Sequence, residues 1–232
     1  MTLTEAKQIV GSIGFPSKMP GTSYGLSARD CKAGAELAKL PGSICSTCYA
    51  ARDIMSWPNA QTAYARRLAA IADPRWVDAM VALLLHLHGR PKIRIDLGLR
   101  GVRLQRAGGV RWRWNPTGYH RWHDSGDLQS VDHLEKIIEV CRRTPGIRHW
   151  LPTRELAMLR ACPAPIPDNL TIRVSATMID GVPPAGWPGS TVHRHDPPEG
   201  AHRCPAPEQG HECGSCRACW SRDIPLVSYG LH

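Results

Sequence analysis

Two short cysteine-rich segments constrain this chain more than any other feature of its sequence. Of nine cysteines, only Cys141 and Cys162 lie outside these segments. The first segment contains Cys31, Cys45 and Cys48, and the second contains Cys204, Cys213, Cys216 and Cys219. Two cysteines separated by two residues can direct both thiolates towards one metal ion or one cluster face. The spacing therefore predicts two metal sites, and it favours metal over structural disulfides.

The number of cysteines in each segment indicates which metals fit. Three cysteines holding a [4Fe-4S] cluster leave one iron open to a small molecule, whereas a structural zinc site is normally closed by a fourth ligand. The alternative for the first segment is zinc with a His or Asp as the fourth ligand. The second segment fits a [4Fe-4S] cluster or a four-cysteine zinc site. One of the nearby histidines could replace a cysteine there, namely His193, His195, His202 or His211.

The first segment also carries a resemblance to a known family. Its end, C-x-x-C-Tyr-Ala at Cys45 to Ala50, resembles the cluster-binding loop of radical S-adenosylmethionine (SAM) enzymes, including phage-encoded proteins with such a loop and a Ser-Gly-Asp turn. The gap between Cys31 and Cys45 is longer than in the usual motif. The resemblance implies a [4Fe-4S] cluster and SAM as cofactors, and a reductant protein as a partner. It also implies reductive cleavage of SAM to a 5′-deoxyadenosyl radical.

A polar turn, Asp124-Ser125-Gly126-Asp127, separates a predicted strand at Tyr119 to His123 from a helix predicted to begin near Ser130. In α/β folds, turns at the carboxyl ends of strands bind ligands, and glycine lets the backbone approach them closely. Under the resemblance, Ser125, Gly126 and Asp127 correspond to the motif that holds the amino group of SAM.

The same turn has a second resemblance. Asp124-Ser125-Gly126, followed by Leu128-Gln129, is similar to a stretch of the transglycosylases that exchange guanine for a deazaguanine in tRNA or DNA. That resemblance implies that Asp124 and Asp127 are catalytic, as nucleophile and base. It leaves the first cysteine segment unexplained.

Alternating strand and helix patterns predict the fold class. Further strands are predicted at 147–152 and 170–177, so we expect an α/β fold with a partial, barrel-like (β/α) parallel sheet. Residues 1–22 are predicted to be an irregular arm, 23–190 the core, and 191–232 a cysteine-rich metal segment. The Pro- and Gly-rich stretch after Gly181 is predicted to be a connector or lid. Arg173 and Ser175, on the last predicted core strand, either reach SAM as the resemblance implies or belong to the scaffold.

An inserted β-hairpin is predicted at about 92–115, because apolar and basic residues alternate there around a glycine pair. One face would carry Arg103, Arg111 and Arg113, and the other Trp112 and Trp114. Arginine pairs with phosphates and exposed tryptophan stacks on bases, so the hairpin is a candidate nucleic-acid-binding element. The alternative is a hairpin whose tryptophans are simply packed.

The charge of the chain favours an anionic partner. The 29 Lys and Arg against 20 Asp and Glu give a net charge of +9, and basic proteins gain affinity for nucleic acids through counterion release. Without an export signal or membrane-spanning run, we expect a cytoplasmic protein, in a bacterial host if phage-encoded. These features predict a radical SAM-like enzyme acting on a nucleic acid or nucleotide. The alternatives are the base-exchange transglycosylase and a non-enzymatic, zinc-stabilised nucleic-acid-binding protein.

Overall fold

The computed structural model describes residues 1–89 and 118–231. In these residues, seven parallel strands form one open sheet with the order β1-β2-β3-β4-β5-β7-β6. The strands are β1 (Thr22–Tyr24), β2 (Tyr119–Trp122), β3 (Arg148–Thr153), β4 (Leu170–Ser175), β5 (Gly189–His193), β6 (His202–Arg203) and β7 (Leu226–Gly230). The helices are α1 (Leu3–Val10), α2 (Ala33–Leu37), α3 (Pro58–Ala70), α4 (Trp76–His88), α5 (Val131–Arg143) and α6 (Leu156–Ala161). The predicted α/β class with a parallel sheet is confirmed.

The predicted hairpin at 92–115, with Arg103, Arg111, Arg113, Trp112 and Trp114, lies outside the described residues. None of the helices within residues 1–89 and 118–231 is long and apolar enough to cross a membrane.

The main hydrophobic core lies between the helices and one face of the sheet. Alternate strand residues such as Leu151, Ile172 and Val174 are buried in this core, because successive side chains of a strand point to opposite faces. Helix α5 contributes an amphipathic stripe that includes Leu134 and Ile138, both fully buried. The regular spacing of these apolar residues explains why α5 was predictable from its sequence.

The N-terminal residues differ from the prediction of an irregular arm. Leu3–Val10 is helical, and its start is closed by a capping box in which Thr2 and Glu5 exchange hydrogen bonds. Gly11 follows the helix in the left-handed conformation that commonly ends helices. The helix buries Ala6 and Val10 in the core, and this burial outweighs the breaking effect of the prolines that follow.

The C-terminal residues also differ from the prediction. Gly189–His193, predicted to lie in a connector or lid, is strand β5, and it pairs with β4 and β7. The cysteine-rich segment therefore lies between strands of the core sheet and is not appended after it. The Pro- and Gly-rich flanks conceal this strand from pattern analysis, because only five residues carry the strand signal.

The second face of the sheet is covered by the chain around Trp220. Its ring packs edge-on against Tyr119 of β2 and Trp150 of β3, with centroid distances of 5.4 and 5.1 Å. On β4, Thr171 donates a hydrogen bond of 2.9 Å to the Trp220 carbonyl. The fold thus has three layers: helices, sheet, and the cysteine-rich C-terminal segment.

Candidate metal centre at the carboxyl edge of the sheet

The carboxyl ends of β2, β3 and β4 lie side by side and carry the polar segments predicted to be functional. Asp124-Ser125-Gly126-Asp127 follows β2, Thr153-Arg154-Glu155 ends and follows β3, and Ser175 ends β4. Because neighbouring parallel strands end at one edge, groups distant in sequence meet there.

The first cysteine segment is fastened over this edge by several strands at once. The Ala33 amide donates at 2.8 Å to Oε1 of Glu155, which follows β3. The Ile44 amide donates at 3.0 Å to the carbonyl of Thr177, which follows β4. The Tyr49 hydroxyl donates at 3.1 Å to the carbonyl of Asp124, which follows β2. The fold therefore brings the three-cysteine segment and the Asp124–Asp127 turn together. The sequence indicates each of them as functional, but not that they are neighbours.

Cys31, Cys45 and Cys48 are neighbouring, partly buried thiols. A Cβ atom on Gly34 would lie 3.5 Å from the Cys31 sulfur and 3.6 Å from the Cys45 sulfur, so both sulfurs face the space beside this glycine. The pKa of Cys31 is raised to about 12, chiefly by burial and to a smaller extent by the nearby Asp127 and the other two thiols. The Arg154 guanidinium acts in the opposite direction on Cys31 and Cys45. A cationic ligand or metal would offset the cost of ionising this group.

Asp127 is a buried carboxylate that the protein itself saturates. Its Oδ1 accepts hydrogen bonds from the Leu128 amide at 2.8 Å and the Thr153 hydroxyl at 2.6 Å. Its Oδ2 accepts from the Arg154 amide at 2.9 Å. Burial raises the pKa of Asp127 to about 6, against the lowering effect of these donors. The carboxylate therefore anchors the turn to β3, and little capacity remains for a ligand.

Asp124 retains a free acceptor. Its Oδ2 accepts a 2.7 Å hydrogen bond from the Ser23 hydroxyl on β1, whereas Oδ1 is buried without a hydrogen-bond partner among the described residues. A Cβ atom on Gly25 would lie only 1.9 Å from this Oδ1, so any side chain at position 25 would clash with the carboxylate. Of the two carboxylates predicted to be catalytic, Asp124 is the one with an oxygen that has no hydrogen-bond partner among the described residues.

Gly126 and Ser125 shape the turn. Gly126 has a φ of 76°, and an added Cβ would lie 2.7 Å from Leu26 Cβ, so a side chain here is excluded. The Ser125 carbonyl accepts from the Leu26 amide at 2.8 Å. This turn packs against the segment that leads into the first cysteine.

Arg173 and Ser175 have different surroundings from those implied by the SAM resemblance. Arg173 is fully buried, and its three side-chain nitrogens all donate to main-chain carbonyls. The acceptors are the carbonyls of Gly189, Ala218, Cys219, Ser221 and Ile224. Through these five carbonyls, the buried guanidinium holds the C-terminal segment against the sheet. The Ser175 hydroxyl lies 3.0 Å from that of Ser190 on β5.

The second cysteine group is assembled on the other face of the sheet. Cys213 is influenced electrostatically by Cys204 and Cys216, and Cys219 by Cys204. All nine cysteines are free thiols. Thiols of each predicted set therefore lie close enough to influence one another electrostatically, in two separate places.

Several groups at the carboxyl edge were not singled out from the sequence. Arg154 places a partly buried cation beside the first cysteines, and the buried Glu155 holds the segment that carries them. Arg121 lies under the edge, with its guanidinium 4.5 Å from the Trp150 ring centroid. The available signal was position, since Thr153-Arg154-Glu155 directly follows a predicted strand.

The residue types at this site are those that bind an iron–sulfur cluster or zinc. Within residues 1–89 and 118–231, no three His, Cys, Asp or Glu side chains are already arranged to hold a metal ion. The three thiols nevertheless lie near one another, beside a glycine and a cation that can balance thiolate charge. A cleft of about 420 Å³ lies between α3 and the turn that precedes Cys31, where Ser27, Arg29 and Asp30 line it.

Comparison with known proteins identifies a family. No curated protein and no solved structure matches the chain. The family model described as Gene product 88, of phage type, matches residues 2–222. This match spans the cysteine segments, the turn after β2 and nearly the whole sheet. The chain therefore belongs to the Gene product 88 family.

Proposed function

We propose that this protein is a radical SAM-like iron–sulfur enzyme that acts on a nucleic acid or a nucleotide. The observation that carries the proposal is the position of Cys31, Cys45 and Cys48 over the carboxyl edge of a parallel sheet, beside the Asp124–Asp127 turn. Three thiols in that position suit a cluster with one open iron, and the adjacent turn suits the ligand of that iron.

Each residue of the edge has a proposed role. Cys31, Cys45 and Cys48 would hold the cluster, which when bound supplies the electron for reductive cleavage of SAM. Arg154 would balance part of the thiolate charge. Asp124, oriented by Ser23 and with Oδ1 unpaired among the described residues, would accept from the ammonium group of SAM. This assignment moves the ammonium contact from Asp127, which is saturated, to Asp124.

The nucleic-acid part of the proposal rests on charge. A net charge of +9 attracts a polyanion. Arg121 and Arg154 place cations at the same edge as the cysteines, where a phosphate of the substrate could bind. The arginines of the predicted hairpin would add to this attraction.

A base-exchange transglycosylase is a second candidate, and Asp124 favours it. A carboxylate with one oxygen bonded to Ser23 and the other unpaired among the described residues suits a nucleophile. Asp127 is poorly suited to be the base, because three donors already occupy it.

Metal analysis of anaerobically purified protein tests the proposal. Wild type, Cys45→Ala and the control Cys162→Ala should be compared for iron, sulfide and zinc content and for their visible spectra. We expect wild type to be brown and Cys45→Ala to hold about four fewer irons, while Cys162→Ala matches wild type. The difference between variants is the readout, because the second cysteine group could also hold iron.

A second step tests the chemistry. Wild type should cleave SAM with a strong reductant, and Asp124→Asn should lose cleavage while keeping its iron. Equal iron in wild type and Cys45→Ala, or colourless wild type with zinc, would overturn the proposal. Release of labelled guanine from DNA or tRNA would then support base exchange. Nucleic-acid binding that survives Asp124→Asn and Asp127→Asn would support a zinc-stabilised binding protein.

A further inference from the structure

The residues from Cys204 to Arg217 form an ordered segment without a hydrophobic anchor. None of them is buried, and their regular structure is limited to one 3₁₀ turn at Ala206–Gln209. Ordering such a segment costs conformational entropy that apolar burial does not offset here. A cross-link is the physical device that small polar segments of this kind use.

The cysteines of this segment are anchored to different parts of the protein. The Cys204 amide donates to the Ser228 carbonyl of β7 at 2.9 Å, and the Cys213 amide donates to the Lys18 carbonyl at 2.9 Å. The Cys216 amide donates to the Cys213 carbonyl at 3.0 Å, closing a C-x-x-C turn. A single centre bound by all four cysteines would therefore join β7, the N-terminal region and the segment that covers the sheet.

Two neighbours are placed to donate to the sulfurs. His202 Nε2 lies 3.3 Å from the Cys216 sulfur, and the Tyr229 hydroxyl lies 3.2 Å from the Cys219 sulfur. Such outer hydrogen bonds orient metal-bound thiolates and tune their charge. Both neighbours belong to strands of the sheet, β6 and β7.

Cations surround the same group. Arg121 and Arg217 act electrostatically on Cys213, and Arg173 and Arg121 act on Cys219. Four thiolates around a divalent metal carry an excess of negative charge, which guanidinium groups at this distance reduce.

We propose that Cys204, Cys213, Cys216 and Cys219 bind a second, thiophilic metal centre, which fastens the C-terminal segment to the second face of the sheet. The bound group is zinc or an iron–sulfur cluster, since both are held by cysteine thiolates. The centre is structural, and it is independent of the function proposed for the first three cysteines. His202 and Tyr229 support the ligands without binding the metal.

The test uses full-length protein without the first centre. The triple variant Cys31→Ala/Cys45→Ala/Cys48→Ala should be purified anaerobically, checked by circular dichroism and analysed for zinc, iron and sulfide. We expect it to retain one centre, either about one zinc in colourless protein or iron with sulfide in brown protein. Adding Cys213→Ser and Cys216→Ser should remove that metal, whereas adding Cys162→Ala should leave it.

Proteolysis tests the structural role. A glutamate-specific protease has the exposed sites Glu208 and Glu212 within the segment. Cleavage there should accelerate at least tenfold when the metal is removed by a chelator or by Cys213→Ser/Cys216→Ser in otherwise wild-type protein. Unchanged cleavage would overturn the structural role.

Two further results would overturn the ligand assignment. One is a folded triple variant without metal, in which a thiol reagent finds the four cysteines free or mass spectrometry finds them in disulfides. The other is loss of the metal in His202→Asn, since that change should only weaken binding, about 10- to 100-fold.

Discussion

The Thr153 hydroxyl at the end of β3 donates a 2.6 Å hydrogen bond to Oδ1 of Asp127 in the turn after β2. The same hydroxyl accepts from the Glu155 amide at 3.0 Å, and Glu155 in turn accepts from the Ala33 amide. One chain of hydrogen bonds thus links the turn, the end of β3 and the first cysteine segment. Asp127 therefore organises the edge from within, whereas Asp124 keeps one oxygen without a hydrogen-bond partner among the described residues.

Asp127→Asn should destabilise the protein by about 2 kcal/mol. Both oxygens of Asp127 accept hydrogen bonds, so the NH2 group of Asn would have to face a donor and one bond would be lost. Thr153→Val removes one of these bonds and also the acceptor of the Glu155 amide, so it should cost about 2 kcal/mol as well. Urea unfolding at pH 7 measures both. Asp124→Asn is the matched control: the amide oxygen of Asn can keep the bond from Ser23, so the loss should stay below about 1 kcal/mol. Equal losses at Asp124 and Asp127 would contradict the division of roles.

Gly34→Ala should reduce metal binding by the first cysteines while leaving the fold intact. The added methyl group would lie 3.0 Å from the Cys31 Cβ and within 3.6 Å of the Cys31 and Cys45 sulfurs. It would therefore occupy space beside the ligands. Iron content after anaerobic purification measures the effect, and we expect a loss of at least half. Gly146→Ala is the control, since an added Cβ there contacts nothing within 4 Å; equal iron in both variants would contradict the prediction.

Arg173→Met should destabilise the protein by about 3 kcal/mol or more, because buried carbonyls around the guanidinium lose their donors. Thr171→Val, on the same face of β4, removes only the bond to Trp220 and should cost about 1 kcal/mol. Thermal unfolding compares the two. If Arg173 instead served only a cofactor, Arg173→Met would leave the stability of the metal-free protein unchanged.

Stability should fall as the pH decreases below 6.5, through histidines that are buried in their neutral form. Burial lowers the pKa of His149 to about 3, from an ordinary value of 6.5. Between these values the unfolded chain binds a proton that the native state does not, so acid favours unfolding by up to about 1.4 kcal/mol per pH unit. Burial likewise lowers the pKa of His133 to about 3.

Urea unfolding at pH 7, 6 and 5 measures this effect. In the wild type, the Thr144 hydroxyl lies 2.9 Å from Nε2 of His149, and the amide of His149→Gln can keep this contact. The variant should reduce the slope of stability against pH by the equivalent of about one bound proton. Asp127 acts in the opposite direction: with a raised pKa of about 6, it contributes stability that is lost as the pH rises from about 4 to 6. Equal slopes for wild type and His149→Gln would contradict the assignment of a neutral, buried histidine.

Elements with a strong local signal were predictable from the sequence. The helix predicted to begin near Ser130 is observed at Val131–Arg143, with the Ser130 hydroxyl accepting from the His133 amide at 3.0 Å. Helix α1 is not predicted although Thr2 and Glu5 form a capping box, because Pro16 and Pro20 give the N-terminal residues the pattern of an irregular segment. Strand β5 was missed because five residues between Pro- and Gly-rich flanks carry too weak a signal.

The candidate site divides in a similar way. The sequence by itself determined which chemistry the chain offers, since thiols at C-x-x-C spacing and the polar turn at Asp124–Asp127 are local patterns. Only the tertiary structure decided which groups remain available, because burial and pairing depend on segments far apart in the chain. Parallel strand pairing brings Ser23 to Asp124 and Thr153 to Asp127. It leaves one oxygen of Asp124 unpaired among the described residues, whereas Asp127 is saturated. The same long-range packing surrounds Arg173 with carbonyls, which no pattern along the chain could reveal.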